Sequence, residues 1–148
     1  MSFAPHVTVA TVIEKDGKFL MVKEQTHNVV HYNQPAGHLE QDESLQTAAA
    51  RETLEETGWN VELTHYLGVS LYVAPSNGVT YVRHSFSGKP IAHYSGLALD
   101  ADIIAAEWLS YEEILGMESQ LRSPLVKQDI DQYRAGELYP LKIVKGLS

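Results

Sequence analysis

The sequence predicts a single α/β domain with a mixed sheet and flanking helices, running over residues 1–148. Three observations carry that reading. Short runs rich in β-branched residues alternate apolar and polar at period two, the spacing of half-buried strands. Two pairs, Asp16-Gly17 and Asn77-Gly78, have the composition of tight hairpin turns. Between them lies a proline-free run, Glu43 to Thr57, built from good helix formers and closed by Gly58.

The elements follow in order. His6–Ile13 reads as a strand, Asp16-Gly17 as its turn and Lys18–Lys23 as the returning partner. Residues 25–40 read as a loop, with Pro35 and Gly37 shaping the approach to the helix. Asp42 or Ser44 caps the helix, and Glu43 is placed in its first turn, where the helix dipole favours an anion. Beyond Gly58, residues 61–73 read as extended with a break near Gly68, and Val79–Phe86 follows the second turn. Residues 87–96 read as a loop carrying Lys89-Pro90, and Ile103–Leu109 as a buried strand. Ser110 with Glu113 forms a capping box for a short helix that Gly116 ends. Ser123-Pro124 starts a last helix of about twelve residues, with Gly136 beyond it.

Composition excludes several function classes. With 148 residues, 44% hydrophobic and 20% charged, the chain has the make-up of a soluble globular domain. No run approaches the roughly 18 apolar residues of a membrane span, and MSFAPHVTVA lacks the basic-then-apolar pattern of a leader. Zero cysteines exclude disulfides and thiolate metal sites and fit a cytoplasmic protein. A formal net charge of −8 argues against a duplex nucleic-acid partner, which selects a basic face. It also means that a polyanionic small-molecule substrate must be held by a cation bridge and a few local donors.

The run from Gly37 to Trp59, GHLEQDESLQTAAARETLEETGW, is where the chemistry concentrates. At about 100° per residue, Glu52, Glu55 and Glu56 share one arc of the helix with Leu45, Ala48 and Ala49. The stripe therefore begins apolar and ends acidic. Like charges three and four residues apart destabilise a helix by about 0.2–0.5 kcal/mol each, and Arg51 offsets only part of that. A solvated acidic face is the ordinary fate of such a run. Clustered oxygen ligands without Cys or His instead suit a hard divalent cation, Mg2+ with Mn2+ as a substitute.

The spacing decides between these readings. Gly37, Glu43, Arg51, Glu52, Glu55, Glu56 and Gly58 fit the pattern G-x5-E-x7-R-E-U-x-E-E-x-G-U, where U is apolar, and resemble the signature of the Nudix hydrolases. Seven identities at average usage coincide on the order of once in 10^8 positions or fewer. The resemblance implies an α/β/α sandwich and Mg2+-dependent cleavage of phosphoanhydrides. It places the cation on Glu52 and Glu56 with the main-chain carbonyl of Ala36, Glu55 being a candidate further ligand, and makes Gly37 a point of close backbone approach. It gives Arg51 the task of orienting Glu43 or Glu55. Glu55 is the candidate base within the signature, while Glu107 and Asp102 are the candidates outside it. Two positions depart from the pattern: Thr53 stands where an aliphatic residue is common, and Trp59 is larger than the usual Val or Ile. Neither touches the charged set.

Substrate donors must come from elsewhere. Lys23, ending a strand, and Arg83, within one, are the candidate substrate-binding cations, with Arg122 a further one; each also reads as a solvated surface charge. His31, Tyr32, Asn33 and Gln34 stand where a base or pyrimidine ring would pass. The flanking segments PHVTVATVI, NQPAGHLE, LRSPLV and YRAGELYPL resemble a bacterial phosphatase branch of the same family. That resemblance implies release of phosphate from nucleoside tri- and diphosphates and from hydroxymethylpyrimidine pyrophosphate. Other Nudix specificities (ADP-ribose, dinucleoside polyphosphates, RNA 5′ ends) and a non-catalytic nucleotide-binding domain are the alternatives.

Overall fold

A computed structural model describes residues 2–146. Seven strands form one mixed sheet: β1 (His6–Lys15), β2 (Lys18–Thr26), β3 (Val29–Asn33), β4 (Ala36–His38), β5 (Trp59–Val73), β6 (Thr80–His93) and β7 (Ile103–Ser110). The helices are α1 (Leu45–Thr57), α2 (Tyr111–Gly116) and α3 (Pro124–Arg134). Strand order along the main path is β3-β2-β1-β6-β5, with β4 branching from β1 and β7 from β2. Only β1 and β6 run parallel; the remaining pairings are antiparallel.

β1 is the hub of this arrangement. Its end, Glu14 and Lys15, turns into β2 through Asp16 and Gly17, both at positive φ as the tight hairpin demands. Its earlier residues, Thr8 to Ala10, pair instead with β4. The sheet therefore splays beside β1, and the cavity described below opens in that region. The alternation of β1 serves both faces. Val9 packs with Ala48 and Ala49 of α1 and with Phe86. Val12 packs with Ile114 of α2 and with Val126 and Ile130 of α3. One helix thus covers one face and two cover the other, giving the α/β/α layering of the expected class.

Several expectations need correction. Residues 25–40 are not a plain loop but contain β3 and β4. The supposed loop over 87–96 is mostly β6, which continues to His93 and carries Pro90 within it. β1 pairs with β6 only as far as Gly88, so beyond that point one side of β6 is free and a residue without an N–H costs nothing. Near Gly68 the strand does not break; the β5 register shifts between Tyr66 and Gly68 while pairing continues. β7 is half-buried, with only Leu109 fully covered. Ser44, not Asp42, caps α1, its hydroxyl accepting from the Thr47 amide. Glu43 consequently precedes the cap and is not in the first turn. The Ser110–Glu113 capping box, the left-handed Gly58 and Pro124 at the start of α3 stand as expected. Among the described residues no helix is long and apolar enough to cross a membrane.

Candidate active site

α1 presents its acidic arc because its apolar half is fixed first. Ala48, Ala49 and Thr53 are fully covered by the sheet, with the Thr53 hydroxyl donating to the Ala49 carbonyl at 2.9 Å. That return to the backbone explains how a hydroxyl replaces an aliphatic side chain there without an unsatisfied group. One turn on, Glu52 and Glu56 are carried to the splayed edge of the sheet, beside β4.

Arg51 organises the charges around it. Its Nε donates to Glu43 Oε2 at 2.6 Å and its Nη2 to Glu43 Oε1 at 3.0 Å, a two-pronged pairing. Nη1 donates to Glu52 at 2.8 Å and to Glu55 at 3.1 Å, and Nη2 also reaches the His38 carbonyl at 3.1 Å. The sequence left open whether Arg51 serves Glu43 or Glu55; it contacts both, and Glu52 as well. These hydrogen bonds hold the Glu43 carboxyl below its ordinary range and keep Arg51 charged.

Glu56 lies outside that net. It is 8% exposed, and its Oε1 accepts from the Ala36 amide at 2.9 Å. Burial pushes its acid up to about 9, opposed by the Ala36 amide and reinforced by the charges of Glu24, Glu52 and Asp100. Burial likewise raises Glu52, against the pull of Arg51. Glu52 and Glu56 are thus two groups whose charge burial makes costly.

Gly37 lies against them. A Cβ at this position would overlap the Glu52 carboxylate. Gly37 has no left-handed backbone, so the demand is for space and not for conformation. Gly37→Ala is therefore expected to displace Glu52 and lower kcat/KM at least ~10-fold while the melting temperature moves by only a few degrees. Phosphate-release kinetics beside a thermal melt check this; full activity would show that Glu52 need not sit where it does.

A cavity of about 630 Å³ opens beside these groups, lined by Ala36, Gly37, Glu52 and Glu56 and by Arg83, Arg122 and Asn33 among others. The structure brings some sequence candidates into it and not others. Arg83 and Asp102 line it. Lys23 does not, although its neighbour Glu24 does; the β2–β7 register shifts between these two residues. Glu107, opposite Met21 on the β2–β7 ladder, is not among the lining residues. Glu55 is not either; its side chain is 41% exposed, and it clusters with Glu52 and Asp100, their oxygens within 4.8 Å of one another.

Two acids were missed in the sequence. Asp100 sits in an irregular segment, its amide donating to the Glu55 carbonyl of α1 at 3.1 Å. Glu24 is buried at the cavity, receiving Arg122 Nη1 at 2.9 Å. A lone acid in an alternating strand ordinarily reads as solvent-facing, so only the fold reveals it. Of the two tryptophans, Trp59 stacks on His93 and meets Trp108 edge-on, a packing role.

The donor set fits a hard divalent cation. It is all oxygen, it concentrates carboxylates whose charge burial opposes, and Gly37 keeps space clear beside Glu52.

Comparison with known proteins agrees with this geometry. The family model described as the NUDIX domain matches residues 3–130. The phosphatase NudJ of Escherichia coli strain K12 is 43% identical over 142 residues, 96% of this chain and 92% of the relative. A solved NUDIX hydrolase from Nitrosomonas europaea superposes with a TM-score of 0.95 at 43% identity, covering 97% of this chain and 98% of that one. The MutT protein of Methanosarcina mazei Go1 superposes at 0.74 with 25% identity, covering 93% of this chain and 99% of that one.

Proposed function

The chain belongs to the NUDIX domain family and is a hydrolase of phosphorus-containing anhydrides; on that premise we propose that it is a Mg2+-dependent phosphatase of small phosphorylated substrates. The substrates proposed are nucleoside tri- and diphosphates and hydroxymethylpyrimidine pyrophosphate, with phosphate as product. The observation that carries this reading is the buried Glu56 carboxylate beside Glu52 on the cavity wall. The likeness to a relative named as a phosphatase supports phosphate release in particular.

Glu52, Glu56 and the Ala36 carbonyl are the groups proposed to hold the cation, with Asp100 added to the set by its place beside Glu52 and Glu55. A divalent cation held there would neutralise phosphate charge and acidify a water molecule, lowering the barrier to attack at phosphorus. The protein's own contribution is positional. Arg51 holds Glu43, Glu52 and Glu55 in one cluster, and the Ala36 amide fixes the rotamer of Glu56. Glu55, whose carboxylate clusters with those of Glu52 and Asp100 and lies outside the cavity lining, is proposed to assist as base from beside the cation-holding groups. Asp102, which lines the cavity, is the alternative. Arg83 and Gly37 are proposed to meet the substrate. Lys23, away from the cavity, is left to long-range attraction.

Product analysis tests the reading. With Mg2+, nucleotides and pyrimidine pyrophosphates are expected to yield orthophosphate, and EDTA is expected to abolish the reaction. Two nucleotide fragments would point to another Nudix specificity. No phosphate from any member of the panel would overturn the phosphatase reading.

A further inference from the structure

The cavity lining includes the carboxylates of Glu52 and Glu56 and, across β1 from β4, Arg83 on β6, together with Arg122 and Asn33. Two arginines beside a phosphohydrolase site suggest phosphate grips, but here each is already matched by an acid. Arg83, 7% exposed, donates Nε to Asp129 Oδ2 at 3.2 Å, and its Nη2 lies 3.2 Å from the same oxygen and donates to Gln34 Oε1. Asp129, 2% exposed on α3, also receives the Ser85 hydroxyl at 2.6 Å, and the Gln34 amide donates to the Val126 carbonyl at 2.8 Å. Arg122 is paired with Glu24.

Each arginine with its carboxylate sums to zero charge, so this wall attracts a polyanion weakly. What the pairing leaves is direction. Nη1 of Arg83 has no hydrogen-bond partner among the described residues, although Arg83 lines the cavity and its other nitrogens are held by Asp129 and Gln34. Asn33 lines the same cavity, and its buried Oδ1 has no hydrogen-bond partner among the described residues. A covered polar atom such as Asn33 Oδ1, left unpaired, costs about 1–3 kcal/mol unless a ligand or water meets it. Tyr72, Tyr81 and Pro75 add flat surfaces suited to a ring.

We propose that Arg83 is a specificity-determining residue that reads the uncharged heterocycle of the substrate, donating from Nη1 to a ring carbonyl or ring nitrogen, while the phosphates lie beside the Glu52 and Glu56 carboxylates. Asp129 is its positioning residue, fixing the guanidinium plane. This rests on the proposed reading of the substrate as a heterocycle-bearing phosphate ester. A pocket built this way rejects a ligand without the ring by leaving its own donors unpaired.

The test avoids hydrolysis altogether. Calorimetry with Mg2+ compares the α,β-methylene diphosphates of uridine, cytidine, adenosine and guanosine with methylenediphosphonate, which has no ring. The wild-type protein is expected to bind at least one nucleoside analogue ~10-fold or more tightly than methylenediphosphonate. Arg83→Lys keeps a cation for Asp129 but removes Nη1. It is expected to erase that increment while methylenediphosphonate stays within ~2-fold. Arg83→Met with Asp129→Asn, which leaves no unpaired buried charge, repeats the measurement should the lysine variant melt early. Equal weakening of both probe types would make Arg83 a phosphate ligand and overturn the proposal, as would the absence of any ring-dependent increment. Because no bond is cleaved, failure of the phosphatase reading shows separately, in the product assay.

Discussion

Replacing Glu56 by Gln is expected to lower kcat at least ~100-fold without unfolding the protein, in line with the loss of a charged ligand or its support. The change keeps the shape of the side chain and leaves an oxygen for the Ala36 amide to donate to. Its effect on stability has the opposite sign. In the folded state Glu56 holds its proton up to about 9, whereas an ordinary carboxyl releases it near 4.5. The folded state therefore binds the extra proton across that window, and stability from this group is present below about 4.5 and is lost as pH rises towards 9. At pH 7 the penalty is on the order of 3 kcal/mol. In EDTA the Gln variant should melt at or above the wild type, and its advantage should widen from pH 5 to pH 8. Mg2+ should then raise the wild type far more than the variant. Near-normal turnover, or a melting difference that ignores pH, would remove Glu56 from the cation site. A residue that weakens the bare fold is what a functional site predicts.

How much of this was legible in the sequence depends on the range of the interactions involved. Local devices were readable: the positive-φ turn at Asp16-Gly17, the left-handed Gly58, the Ser110–Glu113 box and Pro124 each satisfy backbone groups within a few residues. The order of acids on α1 was readable for the same reason, since a helix fixes its own faces. What escaped was set by distant pairing. β3 and β4 carry Asn, Gln, Pro and Gly in or beside them and become strands because β2 and β1 offer ladder partners. Pro90 looked like a loop residue until the end of β1 pairing left it a free edge. Lys23 and Glu24 differ by one position, and only the sheet decides which of them meets the cavity. Arg83 was readable as a cation but not as one neutralised by Asp129, 46 residues further on.

Arg51→Met should produce the second large effect, and on stability first. The guanidinium makes five hydrogen bonds, to Glu43 twice and to Glu52, Glu55 and the His38 carbonyl once each. Removing it leaves Glu43 and Glu52, whose side chains are largely covered, without their cation. Breaking a buried pair costs about 3–5 kcal/mol; with Arg51 partly solvated and Glu55 more so, about 2–4 kcal/mol is expected. For a chain of this length that is a fall in melting temperature of roughly 5–15 °C. The pH dependence identifies the cause. Arg51 holds Glu43 below its ordinary range, so that stabilisation is present above the ordinary carboxyl range and is lost as pH falls. The gap between wild type and variant should therefore be widest near neutral pH and shrink towards pH 4. Mg2+ should restore part of the loss by supplying positive charge to the same carboxylates. Arg51→Lys should recover little of it, since a point charge cannot bridge three carboxylates and a carbonyl with a fixed fork. Equal melting of wild type and Arg51→Met at pH 7 would mean that the cluster is held by the helix alone, and the organising role assigned to Arg51 would fall with it.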